Sequence, residues 1–587
     1  MSRRAVASML GAAGLLAASV AGASSAAALA ADATAPASVT FGDTVPLYST
    51  VQRDVTVTAS GPVTFGATAA IDPAVGQPDD FTVVGDTCAN NSLPDTGTCV
   101  VTVEFQPFAT GLRTASLRIP TTSPAATVTV ALSGTAVPDA TGTYYNLPTP
   151  SRYLDTRPGA RVPNNGTRTV QIAGVTKDGY TMPPIGHISA VVVNLTAVAT
   201  SAKGYFTLYP NGTTLPTAST INFPAGWTGA NMATVPLGAD GAISVFNSGG
   251  PADVLVDVLG WYAKDDTVRA TYGLGTQFLP TESGGPERYY NSLKDPVNNN
   301  LPFQDGDFQE FTDTWTAESD ASAIQAYAVT ITAFRGTASG HFTSGSGDVD
   351  PLPDNVSNVN YLKGIAAPNM AIIPASHPTT LTTSFRIQNF GAGEVHMIVD
   401  LLGYYVSDAS RGLRFKPLTG VAAPKRILDT RQTNTIGNPT GKFGPNTAKT
   451  AFATSVSTTD SYFVVGNTTG VVPSAGTYLT VWSGEVATPP AASTLNLTVG
   501  VNRAVSTYAP LAFNGATGAL TYRIYNNAGT THVLFDAAGT LDLYPSSAVV
   551  PLGALGAPEG AAKAGGRTVP GAGALVDGLE GSTSRRG

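Results

Sequence analysis

The segment 144–546 resembles itself, and this constrains the chain more than any other feature. Gly204-Tyr205-Phe206-Thr207-Leu208 recurs as Gly340-His341-Phe342-Thr343 and as Gly476-Thr477-Tyr478-Leu479-Thr480, so its leading glycines stand 136 residues apart. Ser219-Thr220-Ile221-Asn222-Phe223 returns as Ser357-Asn358-Val359-Asn360-Tyr361 and Ser493-Thr494-Leu495-Asn496-Leu497. Pro236, Pro374 and Pro510 hold matching places. So do Asn247, Asn389 and Asn526. A period this long exceeds that of a solenoid repeat and is large enough for a domain with its own core. The copies are placed at 144–264, 272–407 and 413–546.

The copies read as β structure. Only 12% of the chain is charged, and 63 Gly and 42 Pro accompany abundant Val, Thr and Ala. Residues that extend helices are scarce, while β-branched and aromatic residues suit a pleated surface. Each copy closes on an apolar strand with one carboxylate. These read Val254-Leu255-Val256-Asp257-Val258-Leu259-Gly260-Trp261-Tyr262, Met397-Ile398-Val399-Asp400-Leu401-Leu402-Gly403-Tyr404-Tyr405 and the divergent Val533-Leu534-Phe535-Asp536-Ala537-Ala538-Gly539-Thr540-Leu541. Apolar residues on both sides of the Asp imply that both strand faces are covered. Either a string or a cluster with pseudo-threefold symmetry satisfies this pattern, and we favour the cluster.

Copies one and three open with Arg152-Tyr153-Leu154-Asp155-Thr156-Arg157 and Arg426-Ile427-Leu428-Asp429-Thr430-Arg431; copy two has Glu287-Arg288-Tyr289-Tyr290-Asn291-Ser292-Leu293 there, read as a lost opening. These signatures resemble the Leu-Asp-Thr-Arg repeats of actinobacterial secreted proteins. The resemblance implies export and carries over no activity.

Residues 35–137 alternate short β runs with turn clusters, including Asp54-Val55-Thr56-Val57-Thr58 and Thr127-Val128-Thr129-Val130-Ala131-Leu132, at the spacing of a sandwich. The chain's only cysteines, Cys88 and Cys99, have ten residues between them, and such an isolated pair reads as a disulfide. The run Gly97-Thr98-Cys99-Val100-Val101-Thr102-Val103-Glu104-Phe105-Gln106-Pro107, with Leu132-Ser133-Gly134-Thr135-Ala136, is similar to bacterial choice-of-anchor D modules, related to Hydin/ASPM-like immunoglobulin folds. That resemblance implies an immunoglobulin-like spacer or adhesion module. The fold expected for the whole chain is all-β: one immunoglobulin-like sandwich, then three related β-sandwich-like repeats.

Residues 1–30 read as a signal peptide, with Arg3 and Arg4 before an apolar run and Ala28-Leu29-Ala30 at the cleavage site. Residues 547–587 read as a disordered Ala/Gly/Pro tail. No later run approaches the roughly 20 apolar residues of a membrane span, so no membrane insertion is expected after signal cleavage. A net charge of −8 without a basic block argues against nucleic acid as a partner.

The candidate polar sites each carry a bland reading and a functional one. Asp155 with Arg157, and Asp429 with Arg431, form either a ligand clamp or a structural cap, and the structural reading is preferred. Asp257, Asp400 and Asp536 read as inward carboxylates bonded to a turn or to the Asp-Thr-Arg arginine, against a raised-pKa acid. Asn222, Asn360 and Asn496 are expected to satisfy buried backbone groups. Gly204, Gly340 and Gly476 suggest bulges or close backbone contacts. Asp305-Gly306-Asp307 and Asp348-Val349-Asp350 with Asp354 fall short of a full calcium loop. Trp227, in a Gly-flanked loop, is the candidate ligand-facing aromatic.

Neither a nucleophile elbow nor a His-Glu-x-x-His motif occurs, and the five His share no motif. The expectation is therefore a secreted, non-catalytic scaffold or adhesion protein of the bacterial cell surface, with no cofactor, metal or catalytic residue. Its expected partner is a cell-wall glycan or another surface protein. The alternatives are a carbohydrate or cell-wall binding protein and, remotely, a carboxylate glycoside hydrolase.

Overall fold

The computed structural model describes residues 32–47, 49–281, 285–407, 412–418, 423–433, 437–544 and 582–585. The protein is all-β, with 55% of the described residues in strands and 4% in helices. The signal-peptide reading lies outside the described residues, as does most of the tail. Within the tail, Ser582–Arg585 pairs antiparallel with Phe308–Thr314, so that part is a strand and not the disordered chain expected. No helix among the described residues is long and apolar enough to cross a membrane, which says nothing of strands.

The chain divides into two compact units, Met1–Ala136 and Val137–Gly587. The first is a two-sheet sandwich. One sheet orders Ala33–Thr34, Val51–Ala59, Thr98–Phe105 and Phe81–Asp86; the other is built on the hairpin of Gly111–Ser123 with Ala125–Val137. Alternation along Thr98–Phe105 sends Cys99, Val101, Val103 and Phe105 inward. There Phe105 stacks on Phe81 at 4.7 Å. Cys88 and Cys99 form a disulfide across a Cα separation of 5.1 Å.

In the second unit each copy has an inner and an outer sheet. The inner sheet of copy one orders Tyr144–Asp155, Asp253–Ala263, Ile188–Val198 and Gly229–Pro236; its outer sheet orders Thr167–Gln171, Ala242–Asn247, Gly204–Pro210 and Ile221–Phe223. Copies two and three repeat this order, and their inner sheets merge through Gln277–Pro280 and Leu413–Pro417. Every residue of Asp253–Ala263 is buried, because one face meets its own outer sheet and the other meets neighbouring copies.

The three copies cluster. Their opening strands close a ring: Tyr144 exchanges both backbone bonds with Thr276 at 2.8 Å, Phe278 pairs with Leu413, and Phe415 N donates to Gly142 O at 2.9 Å. Ala190, Val192, Met232 and Tyr262 of copy one join Phe278, Tyr405, Phe415, Val465, Tyr508 and Leu541 of the others in one buried cluster. Copies one and three keep cores of their own between their two sheets, and an axial core continuous with that of copy two is shared besides, because the inner strands are apolar on both faces.

A glycine in each closing strand makes this close approach feasible. The strand bulges one residue before Gly260, Gly403 and Gly539 in all three copies. A Cβ at these glycines would lie 2.3 Å from Tyr144 Oη, 2.3 Å from Leu279 O and 2.4 Å from Lys416 O, so any side chain would expel the opening strand. The bulge flips the facing pattern and brings Tyr262 and Tyr405 to the axis.

Candidate functional site

The recurring polar residues gather at the seams between copies. In each copy the closing-strand carboxylate is fully buried and held by an arginine of the opening strand. Arg152 Nε and Nη2 donate to Asp257 at 2.8 and 3.0 Å, and Arg426 Nε and Nη2 to Asp536 at 2.7 and 2.9 Å. Arg288 Nε donates to Asp400 at 2.5 Å. Two sequence readings are corrected here. The partner is the first arginine of the opening motif, not Arg157 or Arg431, and copy two has not lost its opening: Arg288 stands where Arg152 and Arg426 stand. Burial pushes all three carboxyls up, Asp400 to about 6, while the arginines pull them back.

Each Arg–Asp pair receives a segment of another copy. Arg152 Nη2 donates to Asn355 O of copy two at 2.8 Å, and Asn194 Nδ2 donates to Ser357 O at 2.5 Å. Ser219 N of copy one donates to Asp536 Oδ2 of copy three at 3.4 Å. The Ser493 backbone of copy three faces Asp400 of copy two and lowers its pKa. The contacts run round the ring in one direction.

The Asp-Thr-Arg triplets close on themselves. Arg157 Nη2 donates to Asp155 Oδ2 at 2.6 Å, and Arg431 Nη2 to Asp429 Oδ2 at 2.7 Å. The Arg157 bonds hold the Asp155 carboxyl below its ordinary value; at Asp429 burial works the other way, yet the Arg431 bonds still keep it low. The threonines are buried, and Thr156 and Thr430 Oγ1 take Val254 N and Val533 N, both at 2.9 Å.

Asn222, Asn360 and Asn496 do something other than expected. Each Oδ1 accepts the hydroxyl of Ser219, Ser357 or Ser493 at 3.1–3.2 Å, which shapes the segment that enters the neighbouring copy. Buried backbone groups are served by other residues. Asn247 Nδ2 donates to Val162 O and Gly250 O, and Asn526 Nδ2 to Gly444 O and Gly529 O.

Two seam features escaped the sequence reading. Asn231 Nδ2 donates to Asn467 Oδ1 at 3.0 Å and its Oδ1 takes Ser506 N at 2.9 Å, joining copies one and three. Asn369 does the same between copies two and one. The recurrence of Asn231-Met232-Ala233 as Asn369-Met370-Ala371 was the available signal. On the axis, the hydroxyls of Tyr262, Tyr405 and Tyr508 form a triangle with sides of 2.5, 2.9 and 3.2 Å. Copy three has Leu541 where the others have Tyr, and Tyr508 supplies the third hydroxyl from a different strand.

Trp227 is half-buried, packed on the core of copy one and over Gly229, where a Cβ would meet its ring at 2.1 Å. Trp261, Trp315 and Trp482 are buried. Gly204 and Gly340 are the close contacts expected, with an added Cβ 2.6 Å from Gly249 Cα and 2.4 Å from Tyr361 Oη, whereas Gly476 has open space. The acidic loops fix turns: Asp305 Oδ1 accepts Gly391 N at 3.0 Å and Asp307 Oδ2 accepts Gln304 N at 2.8 Å.

A cleft of about 570 Å³ opens between copies one and three, beside a smaller hollow of about 240 Å³ in copy three that shares Lys416, Pro417 and Leu418 with it.

No protein-family model matches the chain, and no curated protein matches it in sequence. Among solved structures, the secreted serine protease VesC from Vibrio cholerae is similar over 38% of this chain and 49% of its own, at 11% identity and a TM-score of 0.15. The chain thus matches about half the length of that structure, and likeness at this level carries no argument about function.

Proposed function

We propose that this chain is a secreted, non-catalytic extracellular scaffold or adhesion protein of a bacterial surface. One observation carries the reading. The polar residues that recur in the copies — the Arg–Asp pairs, the Ser-x-x-Asn turns and the bridging asparagines — bond to one another within and across copies. Residues used this way lock three domains into one body; they do not build three equivalent active sites. Such a body joined to a disulfide-bonded sandwich suits presentation or spacing at a surface.

The test is a pair of measurements on the mature protein. Binding to whole cells and isolated wall fractions is expected to be saturable, while assays on glycans, esters and peptides stay blank. Turnover that disappears on replacing a single carboxylate would overturn the reading. A second reading, saccharide binding, is favoured by the cleft and is developed next.

A further inference from the structure

Copy three departs from its siblings where the opening and closing strands pair at their outer end. In copy one Tyr145 pairs with Trp261, and the two rings stack at 4.1 Å and fill the end of the sandwich. In copy two Leu279 pairs with Tyr404, which packs edge-on against Trp315. The matching pair in copy three is Lys416 with Thr540. Where the large apolar pair is missing lies the 240 Å³ hollow, lined by Thr454, Ser455, Ser457, Thr458 and Thr540 with Lys416 and Lys425. The hollow shares Lys416, Pro417 and Leu418 with the adjacent 570 Å³ cleft, whose size lies within the range of small-molecule sites.

We propose that this cleft, with the hollow beside it, binds a neutral saccharide. The charges of the larger cleft balance: Lys264, Arg414 and Lys416 stand with Asp139, Asp460 and Asp542. Arg414 is buried and donates to Asp139 at 2.7 Å, and Lys416 lies 3.9 Å from Asp542. Ion pairs of this kind leave lone pairs and N–H groups for hydroxyls while giving a charged ligand no net attraction. Leu237, Pro417 and Leu418, all partly exposed, supply an apolar wall for the C–H face of a sugar ring. Hydroxyls in the hollow would meet the Ser and Thr side chains. The site is independent of the scaffold reading, which stands or falls on the assays given above.

The test titrates the full mature protein with N-acetylglucosamine, its β-1,4-linked dimer, glucose and arabinose by calorimetry, with sodium citrate and spermidine as charged probes. Saturable binding of at least one neutral sugar is expected. Ala239→Trp narrows the cleft from an exposed loop, and Asp542→Asn removes one charged acceptor. Each should weaken binding about tenfold or more, the scale of a lost charge-assisted hydrogen bond, with the circular dichroism spectrum of the parent retained. Thr540→Trp restores the aromatic of copy one and should also abolish binding. A charged probe binding more tightly than every sugar, no binding of any sugar, or sugar binding unmoved by Ala239→Trp and Asp542→Asn would each overturn the proposal.

Discussion

Asn369 of copy two donates its side-chain amide to Asn194 Oδ1 of copy one at 3.0 Å and accepts Met232 N at 2.9 Å from the same copy. One buried amide therefore satisfies two groups on a neighbouring domain, and a third bond runs to Asn358 O at 2.6 Å within its own copy. Asn369→Ala would strand Met232 N–H and the Asn358 carbonyl in a site closed to water. The expected cost is about 2–4 kcal/mol, read as a lowered denaturant midpoint for the repeat unit. An unchanged midpoint would show that the seam does not depend on this amide.

The two arginines of the opening motif should behave differently. Arg152 holds the fully buried Asp257 and also bonds Asn355 O across the seam, whereas Arg157 is half exposed and pairs only within its own turn. Arg152→Ala leaves a buried carboxylate unpaired and should cost about 3–5 kcal/mol, while Arg157→Ala should cost about 1 kcal/mol or less. Replacing both members, Arg152→Met with Asp257→Leu, should recover much of the first loss. Equal costs for the two single variants in chemical denaturation would contradict this assignment of roles.

Period and strand pattern made the β class and the copies readable, because alternation and turn residues act locally. The pairing of Arg152 with Asp257 was half legible. An Asp in an apolar strand announces a partner, but sequence spacing favoured Arg157, and only the antiparallel register puts Arg152 opposite Asp257. Copy two misled for a related reason: losing Asp-Thr-Arg drew attention from the preserved Arg288. The bridging asparagines and the hydroxyl of Tyr508 belong to contacts between domains, whose geometry no local pattern encodes. Trp227 read as exposed because of its Gly-flanked loop; in the fold its indole covers Gly229.

The bond between Cys88 and Cys99 closes a loop with a sequence separation of 11. In the chain-entropy model a loop of that size stabilises by about 3 kcal/mol. Reduction, or Cys88→Ala with Cys99→Ala, should lower the unfolding free energy of a separately produced 32–137 fragment by that order, read from chemical denaturation. Thiol titration of the denatured protein, purified without reductant, should find no free thiol, and two free thiols would reject the pairing.

Asp313 offers a pH test that does not involve the seams. It is buried in copy two, where Tyr289 Oη donates to Oδ1 at 2.5 Å, and Oδ2 has no hydrogen-bond partner among the described residues. Burial pushes its pKa to about 6, against the Tyr289 bond and the nearby Tyr327 hydroxyl, which pull it down. A carboxyl raised on folding binds its proton more tightly in the native state between about pH 4 and 6. Its contribution to stability therefore falls as pH rises through that window and is least favourable at pH 7. The full effect is on the order of 3 kcal/mol at most, from about two pKa units. Asp313→Asn keeps an oxygen for Tyr289 and removes the charge. The variant should match the parent near pH 4, exceed it at pH 7, and show a flatter stability profile between them. Parallel profiles for parent and variant from pH 4 to 7 would mean that Asp313 does not titrate in this window.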